Sequence, residues 1–268
     1  MPDYRIKSVH AVQVQSRRHN MAVSARVETM DGAVGKALCY AGVSVGTHEV
    51  HFQYDGGNRW GGLGCMSAVR NVNTIIADTI LGMDVRNQFE IDQAMLSIQG
   101  NGSASVGGNA IAAVSAAVLK AGAAATQMPL YRYIGGENAC MLPVPGAPAF
   151  SGGERWGGAV HTHGNKPTGA FQCFGYDSFS EASSAAWDMY HLFAKELEKR
   201  GVTEGDWFFY RIPAGIFKHS DEELFELMAD VIHKTGNDGK AGIQIDVAAD
   251  CYYDRNCLLY TSDAADEA

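Results

Sequence analysis

An aspartate at the end of a short apolar strand is the residue best placed to do chemistry in this sequence. Residues 242–247 run Gly-Ile-Gln-Ile-Asp-Val, so Ile243 and Ile245 alternate with Gln244 and Asp246. Barrel enzymes place catalytic groups near the carboxyl ends of their strands, and a carboxylate is the hard oxygen ligand that magnesium prefers. The pattern is compatible with a magnesium ligand at Asp246, but by itself it favours one alternative equally. The alternative is a strand-end carboxylate that bonds to backbone amides.

A glycine-flanked serine is the second candidate. The segment Gly42-Val-Ser44-Val-Gly46 is followed by Glu49. The spacing Gly-x-Ser-x-Gly also occurs in nucleophile elbows, which need a strand-to-helix turn and a later aspartate and histidine. Ser44 lies among predicted strands, so hydrolase chemistry is disfavoured. A loop that closes over a ligand and an ordinary hairpin loop both stay open.

Two histidines form a third candidate. His161 and His163 flank Thr162 and precede Gly-Asn-Lys at 164–166. Side chains at i and i+2 can share one face as metal ligands, but no third ligand lies nearby in the sequence. The alternative is a pair of surface histidines.

The elements that position these residues fall into two predicted domains. Residues 1–138 contain three β-runs, with a hairpin turn at Asp31-Gly32, and then helical patterns at 65–82, 87–99 and 109–126. Asn109 is predicted to cap the third helix, whose alanine-rich body lets another element approach closely. Antiparallel strands followed by helices predict an α+β domain.

The second predicted domain covers residues 139–256. Two short apolar strands, at 142–150 and 169–176, precede two capping boxes that begin at Ser178 and Ser220. The second helix is predicted to stop at Gly236, before the strand that carries Asp246. The order is strand, strand, helix, helix, strand.

Composition excludes several classes of partner. The chain has 268 residues and a formal net charge of −9, which disfavours binding to nucleic acid. No apolar run approaches the roughly 20 residues that span a bilayer, and the N-terminus has no apolar signal core, so we expect a cytoplasmic protein without membrane contact. The six cysteines lack Cys-x-x-Cys spacing, which favours reduced thiols.

Residues 107–153 carry a resemblance to a known family. An alanine-rich helix, Pro-Leu-Tyr-Arg-Tyr at 129–133, Leu-Pro-Val-Pro at 142–145 and a Gly-Gly pair at 152–153 occur in that order. This order resembles the junction between the two domains of enolases. The resemblance implies an α+β N-terminal domain, with a three-stranded antiparallel sheet plus helices, followed by a partial enolase-type α/β TIM barrel. It also implies a lyase of glycolysis that interconverts 2-phosphoglycerate and phosphoenolpyruvate with Mg²⁺.

The resemblance assigns roles to individual residues. Asp246 would bind the structural magnesium and Ser44 the second, catalytic one. The family's histidine falls on Thr162, so a neighbour would have to substitute, and His163 is preferred as the substrate-side residue. Gln172 matches a substrate-contacting glutamine. The implied ligand is a small phosphorylated carboxylate, and the implied assembly is a homodimer through the first domain.

The same resemblance shows departures from the family pattern. Cys173 stands where a carboxylate should follow the glutamine, and residues 211–216 lack the family's second acid, which Glu204 or Asp206 would have to replace. Only about three of eight barrel strands are visible. We therefore expect an inactive enolase fragment; the alternative is a divergent enolase-like protein with another substrate or a binding role.

The last twelve residues have a different character. Residues 257–267, Cys-Leu-Leu-Tyr-Thr-Ser-Asp-Ala-Ala-Asp-Glu, match the in-frame translation of a common transposon sequencing adapter. We interpret 257–268 as a non-native tail; a genuine acidic tail is the alternative.

Overall fold

The computed structural model describes residues 2–16, 19–40, 48–100, 105–151, 168–203, 210–212, 216–217 and 221–246. These residues form two compact units, and the chain passes from the first to the second between Cys140 and Met141. Each unit has its own cluster of buried apolar side chains. The predicted tail at 257–268 lies outside the described residues.

The first unit contains a three-stranded antiparallel sheet. Strands β1 (Ile6–Gln15), β2 (Met21–Thr29) and β3 (Val34–Cys39) pair in the order β1-β2-β3. The predicted turn joins β2 to β3, where the amide of Thr29 donates to the carbonyl of Ala33 at 2.9 Å and Gly32 has φ of +89°. This left-handed backbone is what glycine supplies at no steric cost.

In its described part the first unit also has a short 3-10 turn, Arg59–Gly62, and five α-helices. They are α1 (Met66–Asn71), which continues through a π turn (Val72–Ile76) into α2 (Ala77–Ile80), then α3 (Gln88–Ser97), α4 (Gly108–Ala125) and α5 (Leu130–Gly135). The prediction of three antiparallel strands plus helices is confirmed for this unit.

Helix α4 is the core element, and β3 packs directly on its backbone. A Cβ atom at Gly35 would overlap the carbonyl oxygen of Ala117 and the backbone nitrogen of Ala121. The alanine-rich body of α4 therefore allows β3 to approach closely, as the sequence predicts. Among the described residues α4 is also the one helix long and apolar enough to cross a membrane, but 56% of it is buried, as in a core helix, so this is weak evidence for a span.

Asn109 does not cap α4, and that prediction is wrong. The helix begins at Gly108, and Asn109 is buried within its first turn at 1% exposure. Its side-chain oxygen accepts from the backbone amide of Gln53 at 3.0 Å, while its Nδ2 donates to the carbonyl of Gln53 at 3.1 Å. The polar side chain is used to fasten the segment around Gln53 to α4, because buried backbone groups must be paired.

Helix α1 is capped by a carboxylate from an earlier segment of the chain, and not by a side chain of its own first turn. Asp55 accepts hydrogen bonds from the amides of Met66 at 2.9 Å and Ser67 at 2.7 Å. Burial works to raise the pKa of Asp55, but these hydrogen bonds outweigh it and lower the pKa below its ordinary value. The first turn of α1 thus has a charged acceptor for its otherwise unpaired amides.

The second unit contains a four-stranded sheet and two long helices. Its elements are β4 (Gly146–Ser151), β5 (Thr168–Gln172), α6 (Phe179–Glu198), β6 (Tyr210–Arg211), α7 (Asp221–Lys234) and β7 (Gly242–Asp246). The strand order is β6-β4-β5-β7, with β5 antiparallel to both neighbours and β6 parallel to β4. These strands form the described part of the sheet, and the predicted barrel remains a prediction.

Local sequence accounts for the ends of several of these elements. Ser178 Oγ accepts from the amide of Glu181 at 3.2 Å, which confirms the N-cap half of the first predicted capping box; Ser220 lies outside the described residues. Helix α7 ends at Lys234, just before Gly236 with φ of +74°. The strand predicted from Leu142 begins only at Gly146, because Pro143 and Pro145 have no amide to pair.

Replacing Gly35 by alanine should destabilise the first unit by about 2 kcal/mol or more, because the new methyl group meets backbone atoms that cannot rotate away. Urea denaturation, followed by hydrogen exchange in β3 and α4, measures the loss. Lys36→Ala, at the exposed neighbouring position, is the control and should change stability little. Equal stability of G35A and the parent chain would contradict the direct backbone contact.

Replacing Asn109 by alanine should cost about 1–3 kcal/mol, since both backbone groups of Gln53 lose their partner. The amides around Gln53 should exchange with deuterium faster than in the parent chain, as followed by mass spectrometry. The exposed Asn138→Ala is the matched control. If both variants exchange alike, Asn109 does not hold this segment.

Candidate metal and substrate site

One end of the sheet in the second unit collects four residues in adjacent strands. Asp246 of β7 pairs with Thr168 of β5, Thr168 pairs with Ser151 of β4, and Ser151 pairs with Arg211 of β6. We call these four positions the sheet-end row. Strands β4, β6 and β7 all finish here and β5 starts here, so three chain segments leave the sheet at this end and one enters it.

The two faces of the sheet differ in character. Phe171 is fully buried against Phe193 of α6, with ring centroids 5.7 Å apart, and Ile243 and Ile245 pack on the same core. Residues that alternate with these lie on the opposite face. Asp246 and Thr168 therefore occupy the face away from the helices, where Asp246 is exposed. In a closed barrel that face would be the interior.

Gln172 lies on the same face as Asp246 but at the other end of the sheet. It is four residues along β5 from Thr168, which is about 14 Å at the rise of an extended strand. Its Nε2 donates to the carbonyl of Val144 at 3.3 Å, and its Oε1 is 2.7 Å from where a Cβ of Gly146 would stand. The structure does not bring Gln172 and Asp246 together.

Cys173 belongs to the core of the second unit. It is 2% exposed and packs among the apolar residues beneath the helices, and burial raises the pKa of its thiol. Its amide donates to the carbonyl of Pro145 at 3.1 Å. A carboxylate at this position would face the helices, away from the sheet-end row. The position cannot supply the acid that the family resemblance places beside the site.

Asp246 provides one ligand of the type that magnesium prefers. Its carboxylate is exposed, and the hydroxyl of Thr168 is a second, neutral oxygen on the neighbouring strand. Within the described ranges no three histidine, cysteine or acidic side chains are grouped closely enough to hold a metal ion. The donor that is present fits magnesium, and further ligands must come from other residues.

The other site residues that the sequence predicts lie outside the described residues; they are Ser44, His163, Glu204 and Asp206. The sequence analysis did not single out Thr168, the residue that stands opposite Asp246 on the neighbouring strand. No local signal in the sequence states which residue of one strand will stand opposite a given residue of another.

Comparisons with known proteins identify the family. Residues 6–134 match the family model described as enolase, N-terminal domain. Enolase of Campylobacter jejuni is 37% identical over 251 residues, which cover 91% of this chain and 58% of the relative. Enolases of Methanosarcina barkeri and Methanopyrus kandleri are 36% and 37% identical, covering 94% and 96% of this chain.

The first unit is an enolase N-terminal domain, as its three-stranded antiparallel sheet and helices also indicate. The chain belongs to the enolase family. It spans 58–60% of the length of the curated relatives that it matches.

The buried position of Cys173 predicts slow alkylation. In the native chain, iodoacetamide should modify the exposed Cys140 at least about tenfold faster than Cys173, because the reactive thiolate is both shielded and disfavoured by burial. Peptide mass spectrometry over a time course measures both rates, and the urea-unfolded chain is the control. Equal native rates would mean that Cys173 faces solvent.

Proposed function

We propose that this chain is part of an enolase-type hydro-lyase that interconverts 2-phosphoglycerate and phosphoenolpyruvate in glycolysis. The proposal is carried by the Asp246 carboxylate, which stands at a strand end on the sheet face away from the helices, in a chain related to enolases over 91–96% of its length. The finer fold that this implies is an enolase-type α/β barrel, of which β4, β5 and β7 are members. The implied setting is cytoplasmic, and the implied assembly is a homodimer.

The chemistry is removal of a proton next to a carboxylate. That proton is weakly acidic, and its loss gives an enolate dianion, so a site for this reaction must stabilise negative charge. Magnesium, when bound, neutralises this charge and polarises the carboxylate oxygens. Asp246 is the residue that would hold the ion, and Ser44 is proposed as a ligand of a second one.

The substrate side of the site rests on two further residues. His163 precedes Thr168, the first residue of β5, by five positions in the sequence. It is proposed to face the substrate. Gln172 is proposed as a substrate contact from the family resemblance, although it stands about 14 Å along β5 from Thr168, which is farther than a phosphorylated three-carbon acid extends.

A second candidate function is favoured by the neutral neighbour of Asp246. Among the described side chains of the sheet-end row, Asp246 is the sole carboxylate; Thr168 is a hydroxyl, and Cys173 faces the core. Neither described side chain in the row can protonate a leaving hydroxyl. The alternative is an enolase-like protein that lacks the acid carboxylates and has another substrate or a binding role.

The activity test compares the 268-residue chain with a protein of the relatives' length from the same gene. We expect no detectable conversion of 2-phosphoglycerate by the shorter chain, which supplies one metal carboxylate, and magnesium-dependent conversion by the longer one. Asp246→Asn in the longer protein should lower kcat by about a hundredfold or more, because metal binding is lost. Formation of phosphoenolpyruvate is followed by its ultraviolet absorbance.

Asp230→Asn, an exposed position on α7, is the matched control and should leave kcat unchanged. Turnover by the 268-residue chain would show that its site is already sufficient. A longer protein that binds magnesium but does not convert 2-phosphoglycerate would support the divergent alternative and refute the hydro-lyase.

A further inference from the structure

We propose that Asn73 closes the free edge of strand β1 against pairing with β1 of a second copy of this chain. Its side-chain amide occupies the position that the backbone of a neighbouring strand would take. The inference concerns the first unit alone and is independent of the proposed activity.

Strand β1 lies at the edge of its sheet, and its outer side carries backbone groups that need partners. In the order β1-β2-β3, β2 pairs with one side of β1, and no described strand pairs with the other side. Unpaired amides and carbonyls along such an edge are a template for another chain. At the start of β1 the backbone closes this edge, because the amide of Ile6 donates to the carbonyl of Met83 at 2.8 Å and the carbonyl of Ile6 accepts from the amide of Gly82 at 2.9 Å.

In the second half of the strand a side chain takes over this role. The Oδ1 of Asn73 accepts from the amide of Ala11 at 2.7 Å, and its Nδ2 donates to the carbonyl of Ala11 at 3.1 Å. Residues of an antiparallel sheet that form a hydrogen-bonded pair exchange the same two bonds with each other. The amide of Asn73 therefore acts as a strand of one residue, and Ala11 is 2% exposed.

The helix that carries Asn73 is fixed along the same edge by a second polar contact. Asn73 lies in the π turn Val72–Ile76, and both this turn and α1 lie against β1. The Oε1 of Gln13, two residues after Ala11, accepts from the amide of Cys65 at the start of α1 at 2.6 Å. These two contacts hold the helix in the place where a further strand would pair.

The composition of β1 makes a second copy the occupant of an uncovered edge. The strand reads Ile-Lys-Ser-Val-His-Ala-Val-Gln-Val-Gln, in which Lys7 and the titratable His10 are the ionisable side chains. Segments of high β propensity and low charge pair with copies of themselves. Two copies of β1 would therefore meet little charge repulsion, which otherwise opposes strand pairing.

A second asparagine provides a matched control. Asn109 makes the same two hydrogen bonds with the backbone of Gln53, but Gln53 belongs to no described strand. Asn109→Ala therefore removes a contact of the same kind without opening the edge of a sheet.

The experiment compares the parent chain, Asn73→Ala, Asn109→Ala, Val12→Lys and the double variant N73A/V12K over an about hundredfold range of protein concentration. Val12 is 47% exposed on β1, so a lysine there leaves the core intact but places like charges on two paired copies. Amide hydrogen exchange at Ala11 reports on the edge, exchange in α4 reports on the fold, and sedimentation velocity reports on the assembly.

In N73A the Ala11 amide should exchange about tenfold or more faster than in the parent chain in dilute solution, because its opening no longer breaks the hydrogen bonds to Asn73. At high concentration this amide should regain protection while a larger assembly than that of the parent appears. N109A should keep the exchange of Ala11 and the assembly of the parent. The double variant should lose the concentration-dependent protection, and V12K alone should keep the exchange of the parent at Ala11.

Several outcomes would refute the inference, each for a different reason. Parent-like exchange at Ala11 in N73A would mean that Asn73 does not close the edge. Fast exchange at every concentration would mean that the open edge takes no second copy. Equal association of N109A would trace association to general destabilisation, and association unchanged in the double variant would place it away from β1. Asn73→Asp, which keeps the acceptor for the Ala11 amide but loses the donor to its carbonyl, replaces N73A in every comparison if N73A does not fold.

Discussion

Strand β5 determines where the described candidate groups of the second unit, Asp246 and Gln172, lie relative to each other. It is the inner strand between β4 and β7, antiparallel to both, and its register fixes which residues face the helices. That register is locked by size complementarity, because the ring of Phe150 on β4 occupies the space above Gly169 that any side chain would fill. A one-residue slip would move Phe171 out of the core and turn Asp246 toward a different neighbour.

The first unit depends on a comparable close fit of a different kind. There a strand glycine lies against the backbone of an alanine-rich helix, so β3 and α4 approach with no side chain between them. The buried Asn109 then ties a loop segment to the same helix through both backbone groups of Gln53. Small residues permit the close contact between β3 and α4, and the side-chain amide of Asn109 holds the segment around Gln53 against the same helix.

Local patterns in the sequence were enough for most of the elements. The Asp31-Gly32 turn, the Ser178 N-cap and the alternation in 242–246 each indicate a local geometry, and each is present in the structure. Long-range features could not be obtained in this way. β6 is a two-residue pairing with no signal of its own, and the use of Asn109 as a tether rather than a cap depends on a segment 56 residues away.

The same difference between local and long-range signals applies to the residues of the candidate site. Asp246 could be found because its strand has a strict alternation, and a carboxylate at a strand end is itself a chemical signal. The pairing of Asp246 with Thr168 could not be found, since it depends on the register of two strands that are far apart in the sequence. Cys173 is a case in which a local motif was misleading. The motif aligns Cys173 with an acidic residue of the family, whereas in the structure its side chain packs in the core against the helices.

Among the described residues the two units keep separate cores, with no buried residue common to both clusters. Similarity to enolases extends over both units, but the family model matches residues 6–134, whereas the candidate carboxylate Asp246 stands on the other unit. Residues of the second unit can therefore be substituted during evolution without disturbing the N-terminal domain by which the family is recognised. A lineage built this way can remain easy to classify long after its catalytic repertoire has changed.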